Sequence, residues 1–450
     1  MRALVGLKFA LVLFVVTVLE SIGFVSIAAE PSAIKEPSAV SEPSAVIEPP
    51  TDTSLTTDVR IGPGDHKGGY ESSQYQTDSL SLENRQGVEA DLLSIATTAQ
   101  LGLPDPKTFQ EFLPNEKQIA LGRKLFFDRR LSRNQTMSCA MCHIPEQGFT
   151  NNELKRPVGF EGRAVQRNAP TLLNVVYKER LFADAREEKL SQQAWSPLLA
   201  SNEMNNPSVG WVIKQLVNDE DYRLQFDAAF DEQANMINVG QALAQYQQSL
   251  IAGNARFDQW YFDKNAQAMD NQEVAGFELF RGKAACVSCH RIGKSTAMFT
   301  DQQLHNTGVG YQSSMLGGPE KVTVQLAPGL TAEVEQSYIR QVGGEKINDV
   351  GRYEVTQDPL DRWQYMTPSL RNVAITAPYM HNGEFLTLQS VVEFYNRGGQ
   401  ANKQLSPLIK PLGLSADEIS ALVAFMKTLT GDNVKSLIND AFAFPIGDPS

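Results

Sequence analysis

The pentapeptide Cys-x-x-Cys-His occurs twice in the chain, as Cys139-Ala140-Met141-Cys142-His143 and as Cys286-Val287-Ser288-Cys289-His290, and it uses every cysteine present. In an exported protein this spacing serves covalent haem c attachment. Two thiols bond the two vinyl groups from a single turn, and the imidazole that follows reaches the iron. Two local disulfides or a zinc site are the competing readings. Oxidising compartments favour disulfides, but neither alternative accounts for a His directly after both Cys pairs. A four-Cys zinc site also has to join distant halves. The expectation is two covalently bound haem c groups, one in each of two similar units.

Export is itself legible. Residues 1–29 start with Arg2 and Lys8, continue through an apolar run from Phe9 to Leu19 and reach Ala28 and Ala29, small residues suited to cleavage. Glu20 interrupts the apolar run, which argues for a signal peptide over a membrane anchor. A periplasmic or otherwise exported protein follows, surface-attached and in membrane contact only if this segment is retained. Residues 30–47 then repeat EPSAIK, EPSAVS and EPSAVI, and the polar composition continues to about residue 104. Proline at every sixth position removes backbone donors, so residues 30–104 read as a Pro/Ser-rich, disordered spacer.

The remaining sequence is mainly α-helical in pattern. Asn115 with Gln118 resembles a capping box ahead of Ile119, Leu121 and Leu125. Val239, Leu243, Tyr246 and Leu250 recur at helical spacing, with Gly253 as the stop. Ser415 with Glu418 opens a helix whose apolar face is Ile419, Leu422, Val423 and Met426. Val322 to Leu326 is the best strand candidate. A polar stretch from Phe262 to Asn271 divides the folded part into residues 105–265 and 266–431, each with one pentapeptide, leaving 432–450 as a tail. The expected fold is mainly α: two cytochrome c-like haem domains with long irregular loops, preceded by a signal peptide and a disordered spacer. With 40 Lys and Arg against 52 Asp and Glu, the chain carries no basic footprint for nucleic acid.

Histidine supply limits how the two irons are closed. After His143 and His290, only His66, His305 and His381 remain, and none lies between residues 144 and 289. The first iron therefore has no second His in its own half. An open distal face binds and activates peroxide, whereas two protein ligands suit electron transfer. Met204 is the alternative ligand, and it would make the first site a simple electron carrier.

Four runs carry a resemblance: LGRKLFFDRRLSRNQTMSCAMCH, RNAPTLLN, FTDQQLHNTGVG and TPSLRNVAITAPYMHNGEFLTLQSVVEFYNRGG. Over roughly residues 105–431 the chain resembles the dihaem cytochrome c peroxidase family. Peroxidases of that family place a Met fourteen positions after the His of PY-x-H, whereas its MauG-like branch places a Tyr there; here Tyr395 follows His381 at that distance. The resemblance makes Tyr395 the second ligand of the C-terminal haem iron, with Met366 and Met380 as competitors. Read alone, Leu388, Val391, Val392 and Tyr395 fall on one helix face, so an ordinary core Tyr is the alternative.

The same resemblance implies a distal pocket of Gln193, Pro197 and Glu203 at the first haem, with Glu203 moving protons during peroxide cleavage. It implies a calcium ion held by Asn168, Thr376 and Pro378, and haem-propionate or loop hydrogen bonds for His305 and His381. It also exposes one departure. The family's usual FWDGR reads Phe182-Ala183-Asp184-Ala185-Arg186 here, so the charge-relaying Trp is Ala183, and Trp195 or Tyr177 is the candidate substitute. The implied function is a peroxidase-type oxidoreductase in which hydrogen peroxide drives MauG-like oxidation of Trp or Tyr side chains in a protein substrate. The alternatives are a peroxide scavenger fed by a small cytochrome or cupredoxin, and a non-catalytic dihaem electron carrier.

Overall fold

Asn115, Asn235, Asp270, Thr387 and Ser415 each stand directly before a helix and accept a hydrogen bond from one of its first free N–H groups. These caps punctuate a mainly helical chain. The computed structural model describes residues 87–315, 321–327, 330–335 and 348–443. The expected signal peptide, the spacer up to residue 86, His66 and the end of the tail lie outside the described residues.

Helix α1 (Leu92–Thr97) precedes the first half, which is built on α2 (Glu116–Phe127), α3 (Val209–Asn218), α4 (Glu220–Phe230) and α5 (Met236–Gln248). The second half is built on α6 (Asn271–Arg281), α7 (Leu388–Asn396) and α8 (Ala416–Lys427), and α9 (Val434–Ala441) follows it. The sheets are small. β1 (Leu304–His305) pairs antiparallel with β4 (Tyr365–Met366), and β2 (Lys321–Ala327) forms a hairpin with β3 (Leu330–Glu335), so the expected strand at 322–326 is present. Among the described residues no helix is long and apolar enough to cross a membrane.

The two halves share one packing plan. In the first, α2 crosses α5 so closely that a β-carbon on Gly122 would lie 1.9 Å from the carbonyl oxygen of Ala242. In the second, α6 crosses α8, and a β-carbon on Gly276 would lie 1.9 Å from the carbonyl oxygen of Ala421. Beside each crossing stands an aromatic pair: Phe126 with Tyr246, ring centres 5.2 Å apart, and Phe280 with Phe425, 5.1 Å apart. Full burial of such side chains stabilises the fold by about 1.5–3 kcal/mol each.

Three details differ from the sequence expectations. The box at Asn115 is half made, because the Asn115 N–H donates to Gln245 and the Gln118 oxygen accepts from Gln241, whereas Ser415 and Glu418 cap each other reciprocally. Helix α5 ends at Gln248, so Leu250 sits past its C-cap, buried, with its carbonyl taking the Asn174 N–H at 2.8 Å. The ordered fold also begins inside the expected spacer and continues into the expected tail. Leu92 of α1 and Val434, Leu437 and Ile438 of α9 all pack into the first core. Asp440 joins them, accepting from buried Arg123 at 2.6 Å and from the Ala90 N–H at 3.1 Å.

Candidate haem sites

Each pentapeptide closes a single tight turn. The N–H of His143 donates to the carbonyl of Cys139 at 2.9 Å, and that of His290 to Cys286 at 2.8 Å, so two thiols and one imidazole emerge together. No disulfide joins the four cysteines. Burial pushes Cys139, Cys142 and Cys286 up to about 12 and raises Cys289 as well.

Both imidazoles are oriented from behind in the same way. Nδ1 of His143 lies 3.1 Å from the carbonyl oxygen of Phe149, and Nδ1 of His290 lies 2.8 Å from that of Phe299. A proton on Nδ1 leaves Nε2 as the lone-pair nitrogen, the arrangement an iron ligand needs. Phe149 and Phe299 reach these positions through left-handed backbone, with φ of 56° and 52°, and both are fully buried. Burial lowers the pKa of His143 to about 4 and lowers that of His290, so both rings stay neutral. Donor set and geometry thus fit haem c at each pentapeptide.

Residues 190–204 carry the side chains expected at the first site. Gln193 ends the short helix Leu190–Gln193, Pro197 lies in Trp195–Leu199, and Glu203 follows in a turn. The Glu203 N–H donates to Ala200 at 3.0 Å, and its carbonyl accepts from Phe160 at 2.9 Å. Gly159 permits this approach, since a β-carbon there would lie 2.1 Å from the carbonyl oxygen of Asn202. Burial raises the Glu203 carboxyl above its usual range, against a smaller pull from Arg186, and its charge acts on both Cys139 and Cys142. Met204 is buried in the first core, its N–H bonded to the carbonyl of Pro197 at 3.1 Å.

The second site presents a phenol instead. Tyr395 sits on α7, whose Leu388, Val392 and Phe394 are buried, and burial followed by the Cys289 and Cys286 charges raises its pKa. Its hydroxyl makes no hydrogen bond among the described residues, which leaves the oxygen available as a hard donor. Met366 lies in β4, its N–H on the carbonyl of Ala183, and Met380 occupies a left-handed turn with φ of 71°.

Asn168 and residues 376–381 are brought side by side, the Asn168 N–H donating to the carbonyl of His381 at 2.8 Å. The Asn168 amide nitrogen donates to the carbonyl of Lys155, and the Thr376 hydroxyl donates to that of Val373. Nε2 of His305 pairs with Asp301 at 2.8 Å, and these two form a possible ligand group with Cys289. Trp195 donates its indole N–H to Met236, and Tyr177 its hydroxyl to Pro104.

Sequence reasoning missed what surrounds Ala183. Buried Asp184 accepts from Arg167 at 2.6 Å, and Arg167 also grips both oxygens of Asp349 at 2.6 and 2.7 Å. Tyr365 stacks on His381 beside them. These partners lie up to 182 residues apart, so no local signal announces them.

Comparison with known proteins identifies the family. Residues 116–266 match the di-haem cytochrome c peroxidase family. The chain is 33% identical over 351 residues to cytochrome-c peroxidase IdrP2 of Denitromonas iodatirespirans, covering 76% of this chain and 91% of that protein. It is 34% identical over 321 residues to the methylamine utilization protein MauG of Methylorubrum extorquens, covering 70% and 79% respectively. A solved MauG-like protein associated with microbial copper homeostasis superposes with a TM-score of 0.58 at 28% identity, covering 75% of this chain and 95% of that one. The diheme peroxidase BthA from Burkholderia thailandensis shares the fold, with a TM-score of 0.57. With two haem c groups as its cofactors, the chain belongs to the di-haem cytochrome c peroxidase family, which includes MauG.

Proposed function

We propose that the protein uses hydrogen peroxide to oxidise a partner, and that the partner is a protein whose Trp or Tyr side chains are modified, as implied by the Tyr at position 395. The supporting observation is an asymmetry: the half-buried carboxyl of Glu203 couples by charge to the cysteines of the first pentapeptide, and the half-buried phenol of Tyr395 to those of the second. Haem bound at both pentapeptides supplies redox-active iron able to take two oxidising equivalents from peroxide.

Glu203 accepts the proton from one peroxide oxygen and returns it to the departing one; burial raises its pKa, which strengthens it as a base. Gln193 orients peroxide or water at that face, and Pro197 shapes the wall. Tyr395 closes the second site with oxygen, favouring the higher iron oxidation states, whereas a thioether favours the reduced iron. Asn168, Thr376 and Pro378 hold calcium between the sites through oxygen atoms. The protein acts after export.

A second reading, peroxide scavenging with a small cytochrome or cupredoxin as donor, is kept because relatives named cytochrome-c peroxidase match as well as those named MauG. Electron paramagnetic resonance of the ferric holoprotein is expected to show one high-spin and one low-spin haem. Two low-spin signals would replace catalysis with an electron-carrier role. Peroxide added with candidate exported partners, followed by mass spectrometry, is expected to show oxidised Trp or Tyr. Steady turnover with a reduced small donor and no modified partner would favour scavenging.

A further inference from the structure

Chain segments leading from the two pentapeptide histidines meet in the interior. The Pro170 carbonyl acts on the His143 ring, and the Pro368 carbonyl on the His290 ring. Three residues before each proline stand Arg167 and Tyr365, and the Arg167 guanidinium lies over the Tyr365 ring, 5.6 Å from its centre. His381 stacks on that ring, centres 3.6 Å apart and planes within 10° of parallel. The His381 carbonyl takes the N–H of Asn168, two residues from Pro170. Contacts thus join the segment before Pro170 to the segment before Pro368, with a ring stack in the middle.

The stack is held on every side. The N–H of Met366 is fixed to Ala183 at 2.8 Å, and the Tyr365 hydroxyl donates to the Asp349 carbonyl at 3.1 Å. A β-carbon on Gly310 would lie 2.7 Å from the ring, so the wall leaves no slack. The hydroxyl's partner is a backbone carbonyl, which is not a base, so loss of the phenolic proton has no acceptor at that bond. Nε2 of His381 is buried without a partner among the described residues.

Resting on the two-haem reading above, we propose that the Tyr365–His381 stack is the route by which electrons cross between the two haem positions, the rings serving as a bridge that is never itself oxidised. One electron leaves the second site and arrives at the first, and no proton moves on the stack. Parallel rings in contact supply continuous π overlap across a gap that Ala183, an aliphatic side chain, cannot fill.

The test uses the full-length holoprotein with one haem reduced by a light pulse, following electron transfer between the haems by transient absorption. Tyr365→Phe, which keeps the ring, is expected to stay within about twofold of the parent, and Tyr365→Leu to slow transfer about tenfold or more, equivalent to about 1.4 kcal/mol in barrier. A Leu variant as fast as the parent overturns the route. A Phe variant as slow as Leu overturns the bridge role and makes the phenol an oxidised intermediate. His381→Leu probes the other ring and serves if Leu at 365 does not fold. The resonance spectrum of each variant keeps the two readings apart: a lost high-spin signal counts against the proposed function, and an unchanged one leaves the rate to judge the route.

Discussion

Behind the two pentapeptides the halves are near copies. Gly122 and Gly276 let the same helices cross, Phe149 and Phe299 offer the same left-handed carbonyl, and Phe126 and Phe280 lie 6.5 and 6.4 Å from the two imidazoles. In front of them the halves part. The first half has a short broken helix and a half-buried carboxyl, and the second a continuous helix bearing a phenol. What is duplicated is the packing that holds each pentapeptide, and what differs is the ionisable group whose charge couples to its cysteines. On the proposed function, one packing plan supports two chemistries, set by residues 193–203 on one side and 395 on the other.

The sharpest break of that comparison removes the carboxyl. Glu203→Gln is expected to lower peroxide turnover about 100- to 10,000-fold, with the low-spin signal of the second haem unchanged. Stopped-flow mixing with peroxide measures it, and a loss under threefold would remove Glu203 from proton transfer.

The helix crossings test whether the halves are equally demanding. Gly122→Ala and Gly276→Ala each drive a methyl group against a backbone oxygen that cannot move aside, and each is expected to cost about 3 kcal/mol or more. Thermal unfolding of the holoprotein should show similar losses. A crossing that tolerates alanine would show that its helices are free to separate.

The seam between the halves is sensitive to acid. Burial opposes charge on Asp349, but the Arg167 hydrogen bond and charge outweigh it and hold the carboxyl at about 2. A depressed carboxylate stabilises the fold above its unfolded pKa, and that stability is lost as pH falls from about 4 to 2. Asp349→Asn should therefore remove about 2 kcal/mol at pH 7, and the difference from the parent should shrink below pH 4 in denaturant titrations.

Smallest is the contrast between caps. Ser415→Ala, which breaks a reciprocal box, should cost about 1 kcal/mol, and Asn115→Ala, which loses one bond, about half as much. Equal losses in chemical denaturation would mean that the second bond of the box contributes nothing.

Local physics explains what the sequence made legible. The pentapeptides, the Ser415 cap and the stripe Val239, Leu243 and Tyr246 all act within one or two turns, and each is visible as spacing. Gln118 fails as a box partner because Gln245, 130 residues from Asn115, takes the Asn115 N–H, and the Gln118 oxygen accepts from Gln241 instead. Helices α1 and α9 are too short to announce themselves, and their burial depends on a core that lies far off in sequence. Arg167, Asp349, Tyr365 and His381 are ordinary residues until the fold gathers them. For Glu203 and Tyr395 the sequence alone supplied only a polar segment and a buried helix face; the family pattern singled them out.

Helix α9 has a temporal meaning. Its Val434, Leu437 and Ile438 complete the core around the first pentapeptide, so a chain emerging N-terminus first cannot seal that core until its last segment is out. Synthesis at roughly 5–20 residues per second puts about 15 to 60 s between the appearance of Cys142 and that of Val434. Throughout that interval the two thiols of the earlier motif stay reachable, and the machinery that attaches haem can work on an unfinished pocket before the closing helix arrives.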